Sequence, residues 1–375
     1  MMAKLYQKSE IRMADLMAAA LDIQGRCKDI ILPAGYTGRG NKKVPTGAVN
    51  PGLTSATVAL EGDFGTITFL APIGVGDREK TTLSVPVSAR LTDWSLYQLC
   101  SIRLGIPHAF MRKCLGDQHP DIRELFPETV NRFMSHYDIG TRIRLYQPED
   151  GGPLEVRGIV TESYAVFDSD RVVETVMDVV GDSFNVVGHN IDESGVHLRL
   201  TTPDPLEVNG EDLYPGLLIT SGDVGNRSLE VRFFLWKQVC TNGLVMSRLT
   251  GKVLHKRHLG IYNSDDFQSA LVEALGNFST FCENAKEIVE KARSKELDAD
   301  AMNELLNSFK ANVKLDEAEE KELLEMTAGK YSGEGGVITL WGFINAITEF
   351  AQADRFDLDS RTEVETYAAD LLMAA

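Results

Sequence analysis

Arginines on alternating strands are the residues in this sequence with the clearest potential to bind a ligand. Between Thr141 and Leu235 apolar and polar residues alternate, which is typical of half-buried β-strands. Five arginines occupy the polar positions of this pattern, with Tyr146 and His197 among them: Arg142, Arg144, Arg157, Arg199 and Arg232. If these strands share a sheet, one face offers guanidinium groups for phosphates and rings for base stacking. The pattern predicts a surface for single-stranded nucleic acid; alternatively, the arginines pair with acids on neighbouring strands or helices.

A basic segment follows these strands. The stretch from Val231 to Tyr262 contains six lysines and arginines and no acidic residue, although the whole chain has a formal net charge of -17. Four of these cations lie beyond the alternating strands: Arg248, Lys252, Lys256 and Arg257. Because the excess is local in an acidic protein, we predict that nucleic acid binds here and not by unspecific attraction to the whole chain.

Motifs for phosphate cradling and metal binding are incomplete. A glycine-rich stretch begins at Gly35, but Asn41 stands where a phosphate-binding loop requires lysine and Lys43 where it requires serine or threonine. His255 and His258 flank two cations, which would repel a metal ion. We therefore predict no metal and no cofactor.

Catalysis by a cysteine is the enzymatic alternative. Cys240 and a histidine could act as nucleophile and base, but a cysteine that ends an apolar strand is more often a buried hydrophobe. Whether the protein is an enzyme stays open, and we favour a protein that catalyses no covalent step. An enzyme acting on nucleotides is kept as an alternative.

Length and composition place the chain among folded proteins of about two domains. It has 375 residues, of which 43% are hydrophobic and 25% charged. No apolar stretch approaches a membrane span and the N-terminus lacks a signal-peptide core, so we expect a cytoplasmic protein that does not associate with membranes. Five scattered cysteines without a CxxC pair fit reduced thiols.

Charge divides the chain near Tyr262. Residues 263–375 contain 24 acidic and 10 basic residues, and their apolar residues recur at helical steps. We predict an α+β fold with a mostly antiparallel sheet core over residues 1–262, a mobile loop at 33–53 and an acidic helical region at 263–375. Ser360 and Glu363 have capping-box spacing, which predicts the start of the last helix.

The acidic helices predict a second kind of partner. They could bind a host or phage protein by imitating the charge of DNA, which is our alternative hypothesis for the function. We also expect the chain to form a homo-oligomer.

Four segments resemble a large family of uncharacterised proteins encoded by bacteriophages, prophages and plasmids, the domain of unknown function 932 type. The quoted segments are YQLCSIRLGIP (97–107), GIVTESYAVFD (158–168), LEVRFFLWKQVCTNGLVM (229–246) and TLWGFINAITEF (339–350). Cys240, Asn242 and Gly243 match the family's central turn, where Asn-Gly favours a tight reversal. The resemblance implies a mobile-element setting in a bacterial host and no particular reaction. The combined hypothesis is an accessory protein that acts on single-stranded DNA in replication or recombination.

Overall fold

The computed structural model describes most of the chain. The described residues are 11–32, 53, 56–74, 82–136, 140–237, 242–246, 254–256, 264–353 and 355–374. Every structural statement below refers to these residues.

The described elements are helices and strands in alternating groups. The strands are β1 (Cys27–Leu32), β2 (Thr57–Ala59), β3 (Thr66–Gly74), β4 (Thr82–Leu91), β5 (Thr141–Tyr146), β6 (Glu155–Thr161), β7 (Asn185–Asp192), β8 (Gly195–Thr201), β9 (Leu206–Val208), β10 (Glu211–Gly222), β11 (Leu229–Lys237), β12 (Asn242–Val245) and β13 (Leu254–Lys256). The helices are α1 (Met13–Gly25), α2 (Asp93–Tyr97), α3 (His108–Leu115), α4 (Pro120–His136), α5 (Ser169–Val180), α6 (Ser264–Gly276), α7 (Phe278–Ser294), α8 (Ala299–Asn312), α9 (Glu317–Lys330), α10 (Leu340–Phe350) and α11 (Leu358–Ala374). A π-helical turn (Gln98–Arg103) continues α2.

Two sheets organise these elements. The first has the order β1-β5-β6-β4-β3-β2, and its pairs are antiparallel except for a short parallel contact between β4 and β6. The second has the order β12-β11-β10-β8-β7, with β13 on β11 and β9 on β10, and its pairs are antiparallel. The predicted α+β class with a mostly antiparallel sheet core is confirmed.

Each sheet has its own hydrophobic core, which defines two lobes. The first lobe buries apolar residues of β1–β6 with α2, α3 and α4. The second lobe buries residues of the second sheet together with α1, α5 and the C-terminal helices in one continuous cluster. Phe233 on β11 stacks on Phe281 of α7, with ring centroids 4.6 Å apart.

The charge boundary near Tyr262 does not coincide with a boundary between cores. Residues 264–374 share the second core with β7–β12, so the cores separate between β6 and α5. Of the segment 33–53, which we expected to be a mobile loop, only Leu53 is described, and it is buried in the first core.

The last helix begins earlier than its sequence signal predicts. The carboxylate of Asp357 accepts a hydrogen bond from the backbone N–H of Ser360 at 2.8 Å, so α11 starts at Leu358. Aspartate is as good an N-cap as serine, and the upstream cap prevails here. No helix in the described part of the chain combines the length and apolar character needed to span a lipid bilayer.

Candidate functional site

The five arginines of the alternating strands do not form one exposed face. Arg142, Arg144 and Arg157 lie in the first sheet, whereas Arg199 and Arg232 lie in the second. Each guanidinium is within 4.0 Å of a carboxylate, and Arg144, Arg157 and Arg199 are buried. The prediction of a single unneutralised row is therefore wrong. Because both faces of these strands are covered, a polar position in the alternation points into a second buried layer and not into solvent.

The first group of arginines forms a buried charge network between the lobes, which we call the junction network (Asp29, Arg142, Arg144, Arg157, Asp168, Asp223). Arg144 is 1% exposed and donates from Nε to Asp29 at 2.9 Å. Its two terminal nitrogens donate to the two oxygens of Asp168 at 2.8 and 2.5 Å. This two-pronged geometry is the strongest form of arginine–carboxylate pairing.

Arg157 completes the junction network from β6. It donates to Asp168 at 3.2 Å and to Asp223 at 3.5 Å, and also to the backbone carbonyl of Glu193 at 3.0 Å. Arg142 donates to Asp29 at 3.1 Å. Three arginines therefore face three aspartates, which balances the charge when all are ionised.

Local structure brings these carboxylates to the junction. Asp168 precedes α5 in extended conformation, and Ser169 at the start of that helix donates from its backbone N–H and its hydroxyl to Asp223. Asp223 lies in the connection between β10 and β11, whose Val224 carbonyl accepts a 2.8 Å hydrogen bond from Gln98. Gly158 makes room for this connection, since a Cβ there would lie 2.9 Å from the Cβ of Val224. The network thus ties the second sheet to β5, β6 and α2.

The pKa values of Asp168 and Asp223 are shifted in opposite directions. Burial and the charge of Asp168 raise the pKa of Asp223 to about 7. Burial acts on Asp168 as well, but Arg144 and Arg157 outweigh it and hold the pKa of Asp168 below its usual value. Asp223 is therefore the carboxyl of the network that changes protonation near neutral pH.

The raised pKa of Asp223 predicts a pH-dependent difference in stability between the wild type and Asp223→Asn. The folded protein holds this proton more tightly than the unfolded chain, whose aspartates titrate near 3.8. The contribution of the Asp223 carboxyl to the free energy of unfolding is therefore fully present below pH about 4, and it is lost as the pH rises to about 7. Urea unfolding of both proteins across this range should show the wild type losing stability relative to the variant as the pH rises. A difference that does not vary with pH would contradict the shift.

The second group of arginines meets α11, and we call it the α11 cluster (His197, Arg199, Arg227, Arg232, Arg361 and their paired carboxylates). Arg199 is fully buried and donates to both oxygens of Glu365 at 3.1 and 2.6 Å, while its Nε donates to His197 at 3.2 Å. Arg232 pairs with Glu230, and Arg227 lies 3.0 Å from Asp359. Three of the four arginines therefore each have a carboxylate.

Arg361 is the fourth arginine of the α11 cluster, and no carboxylate balances it. It is 9% exposed, its Nε is buried without a partner, and its side chain makes no hydrogen bond or ion pair among the described residues. The Nε of Arg232 is also buried without a partner. Burial and the charges of Arg199, Arg227, Arg232 and Arg361 lower the pKa of His197 well below its usual value. The cluster carries an uncompensated positive charge.

The remaining predicted site residues have mixed outcomes. Tyr146 is partly buried, and its hydroxyl accepts a 3.0 Å hydrogen bond from Arg26, so it is not a free stacking ring. Asn242 and Gly243, which we predicted to form a tight reversal, are paired residues of β12, opposite Lys237 and Trp236. Lys256 ends β13 on the edge of β11. The other predicted residues lie outside the described part of the chain: Arg248, Lys252, Arg257 and Cys240.

The acidic helices offer less unpaired charge than the sequence indicates. On α9, Glu319 and Glu322 both pair with Arg355, and Glu320 pairs with Lys310. Part of the acidic run therefore stabilises the contacts of α9 with its neighbours. A group of three or more potential metal ligands does not occur among the described residues.

A cleft beside the junction network is a feature that the sequence did not reveal. It has a volume of about 420 Å³ and is lined by both lobes, with Trp94 and Glu155 on one side and Glu193 and Arg227 on the other. Volumes of this size are typical of small-molecule sites. The cleft could not be predicted from the sequence because the residues that line it are far apart in the chain and belong to no motif.

Comparison with protein families identifies a match over the C-terminal part of the chain. The family model described as Domain of unknown function (DUF932) matches residues 156–373, which is more than half of the chain. The chain belongs to this family. The DUF932 region begins within β6 and contains almost all of the second lobe, so it supplies Arg157, Asp168 and Asp223 to the junction network, while Asp29 and Arg144 come from the preceding chain. No curated protein and no solved structure shows significant similarity to the chain.

Segments that carried the family resemblance supply contacts between elements. Gln98 from the first segment bridges the backbones of Ile159 and Val224. Asp168 ends the second segment. In the last segment, Trp341 donates to Glu211 at 2.9 Å, and Asn345 accepts from Lys237 at 3.5 Å. The quoted segments therefore include several residues that hold the two lobes and the C-terminal helices together, although the first segment, 97–107, precedes the DUF932 region.

Proposed function

We propose that this protein binds single-stranded nucleic acid without catalysing a covalent step, through the α11 cluster and the basic segment that follows β11. In this proposal it is a mobile-element accessory protein that acts on single-stranded DNA in the bacterial cytoplasm. The observation that carries the proposal is the buried Arg361, which has no carboxylate among the described residues. An unpaired buried cation is costly, and a phosphate would supply the missing negative charge.

The α11 cluster reaches the surface at Arg227 and Arg232. The side chains of Arg227 and Arg232 are 23% and 21% exposed, so a phosphate at their outer ends would still contact solvent. Arginine suits this role because its guanidinium binds phosphate oxygens in pairs. The five arginines predicted from the sequence are thus divided, and only Arg199 and Arg232 remain in the proposed site.

Strand pairing brings the basic segment close to this cluster. β12 and β13 both pair with the same edge of β11, and Met246 continues the pairing through a 2.9 Å hydrogen bond to Phe233. The pairing of β13 with β11 begins at Leu254, which lies opposite Val231. Residues 247–253 therefore connect two paired stretches, whose ends lie opposite the residues on either side of Arg232 in β11. Met246 and Leu254, which lie on either side of Arg248 and Lys252 in the sequence, are thus placed opposite the neighbours of Arg232 in β11. This supports a shared contribution of the segment and the α11 cluster.

Replacing Arg361 should weaken binding of single-stranded DNA. We expect the full-length protein to bind a fluorescent oligothymidine at low salt, and Arg361→Gln to bind about tenfold more weakly because one buried phosphate contact is lost. Fluorescence anisotropy across a salt series measures this, and the slope of log affinity against log salt should fall by about 0.7 for the lost contact.

The matched control is Arg132→Gln. Arg132 lies on α4, is 70% exposed and pairs with Glu128, so the variant makes the same charge change far from the α11 cluster. Its affinity for the oligonucleotide should equal that of the wild type. If the wild type does not bind at low ionic strength, or if both variants weaken equally, the proposed function is wrong.

The alternative functions are less well supported by geometry. Binding of a host protein through residues 263–375 cannot be tested by deleting them, because they form much of the second core. A catalytic histidine at position 197 is disfavoured, since its side chain is buried and its pKa is lowered. Cys240, the proposed nucleophile of the enzymatic alternative, lies outside the described residues.

A further inference from the structure

We propose that the cleft between the lobes binds a small organic cation, an aliphatic amine, between the carboxylates of Glu155 and Glu193. This site adjoins the proposed nucleic-acid surface and shares Arg227 and Asp359 with the α11 cluster. It takes a ligand of opposite charge, and the two carboxylates that hold the ligand, Glu155 and Glu193, do not belong to that cluster.

Both lobes contribute to the cleft. Thr92 and Trp94 come from the start of α2, and Glu155 is the first residue of β6. Glu193 and Ser194 form the turn between β7 and β8, and Asn226 and Arg227 lie between β10 and β11. The remaining lining residues are Arg157, Val224 and Asp359. A ligand in the cleft would therefore contact the first lobe and two hairpins of the second.

The uncompensated charge of the cleft is negative. Its two cations already have partners, since Arg157 pairs with Asp168 and Asp223 at the base and Arg227 pairs with Asp359. The carboxylates of Glu155 and Glu193 have no ion pair or hydrogen bond among the described residues. Burial and the neighbouring charge of Glu193 raise the pKa of Glu155, and the opposing effect of its cross-strand neighbour Arg90 is smaller, so the two carboxylates repel each other. A cation between them would remove this repulsion.

Two further features favour an amine over a bare metal ion. The indole of Trp94 is held in place by a 3.3 Å hydrogen bond from Nε1 to the Val224 carbonyl, and an aromatic ring attracts organic cations. The side-chain oxygen Oδ1 of Asn226, another lining residue, is buried without a partner and can accept a hydrogen bond from an ammonium group. A volume of about 420 Å³ also exceeds what an ion alone would fill.

Calorimetric titration of the full-length protein with putrescine tests the proposal, with 1,4-butanediol as the uncharged molecule of similar shape. We expect saturable binding of putrescine and none of butanediol at the same concentrations. Glu193→Gln should weaken putrescine binding by about tenfold or more, because a close charge pair is lost. Glu155→Gln should weaken putrescine binding to a similar extent. The control is Glu162→Gln, which changes an exposed carboxylate in the turn after β6 and should bind putrescine like the wild type.

The outcomes separate this proposal from the nucleic-acid proposal. Glu155 lies in a strand, and Glu155→Gln could lower the melting temperature of the protein. Glu193 lies in a hairpin turn, so Glu193→Gln tests the site even in that case. Equal binding of butanediol, binding of Mg²⁺ without binding of putrescine, or unchanged affinity in Glu193→Gln would overturn the amine site. Both cleft variants should keep the oligothymidine affinity of the wild type, so failure of one proposal leaves the other intact.

Discussion

Asp168→Asn is expected to destabilise the folded protein by about 3–5 kcal/mol, because it removes one partner from a buried ion network. Asp168 is 2% exposed and neutralises two arginines, Arg144 and Arg157, whose side chains are each 1% exposed. Asparagine keeps the volume of the side chain, but it leaves two buried cations without their shared carboxylate. Urea unfolding followed by far-ultraviolet circular dichroism measures the change.

An exposed carboxylate provides the control for Asp168. Glu128 pairs with Arg132 on α4, and both side chains are more than half exposed. Glu128→Gln makes the same chemical change and should alter the free energy of unfolding by less than about 0.5 kcal/mol. A loss of less than about 1 kcal/mol in Asp168→Asn would mean that water reaches the junction network and that the network does not hold the lobes together.

Phe281→Ala should destabilise the second lobe by about 3–5 kcal/mol, and the loss should extend to the sheet. Phe281 on α7 is fully buried and stacks on Phe233 of β11, with ring planes 13° apart. Because the helices and the sheet share one core, both should unfold together. Amide hydrogen exchange in β10 and β11 should accelerate along with exchange in α7.

An exposed apolar residue provides the control for Phe281. Val272 on α6 is 56% exposed, so Val272→Ala should change the free energy of unfolding by less than about 0.5 kcal/mol. If Phe281→Ala destabilises only the helices and leaves exchange in β10 and β11 unchanged, residues 263–375 form a separate domain. That outcome would support a domain boundary near Tyr262, where the net charge of the sequence changes.

The two charge clusters have different physical roles. The junction network pairs three arginines with three aspartates, and its charge is balanced when all three carboxylates are ionised. The α11 cluster has four arginines and three paired carboxylates. Charge balance therefore distinguishes a structural role from a candidate binding role, although both clusters contain arginines of the same sequence pattern.

Sequence periodicity alone located several elements of this protein. Alternation placed strands where β5, β6, β8 and β11 lie, and apolar spacing placed helices within residues 263–375, where α6 to α11 lie. These predictions succeed because period-two and helical burial depend on neighbouring residues. The N-terminus of α11 was missed by three residues, since two competing caps, Asp357 and Ser360, lie within one turn.

The sequence by itself determined the α+β class, the family and the local basic excess after β11. Only the tertiary structure decided which arginines meet and which carboxylates neutralise them. Arg199 and its partner Glu365 are 166 residues apart in the chain, and Arg142 and Asp29 are 113 apart. Pairing across such distances depends on how sheets and helices pack against each other. Local periodicity does not predict this packing, because it reflects only residues close together in the chain. For the same reason the cleft between Glu155 and Glu193 could be identified only from the tertiary structure, because residues of both lobes line it.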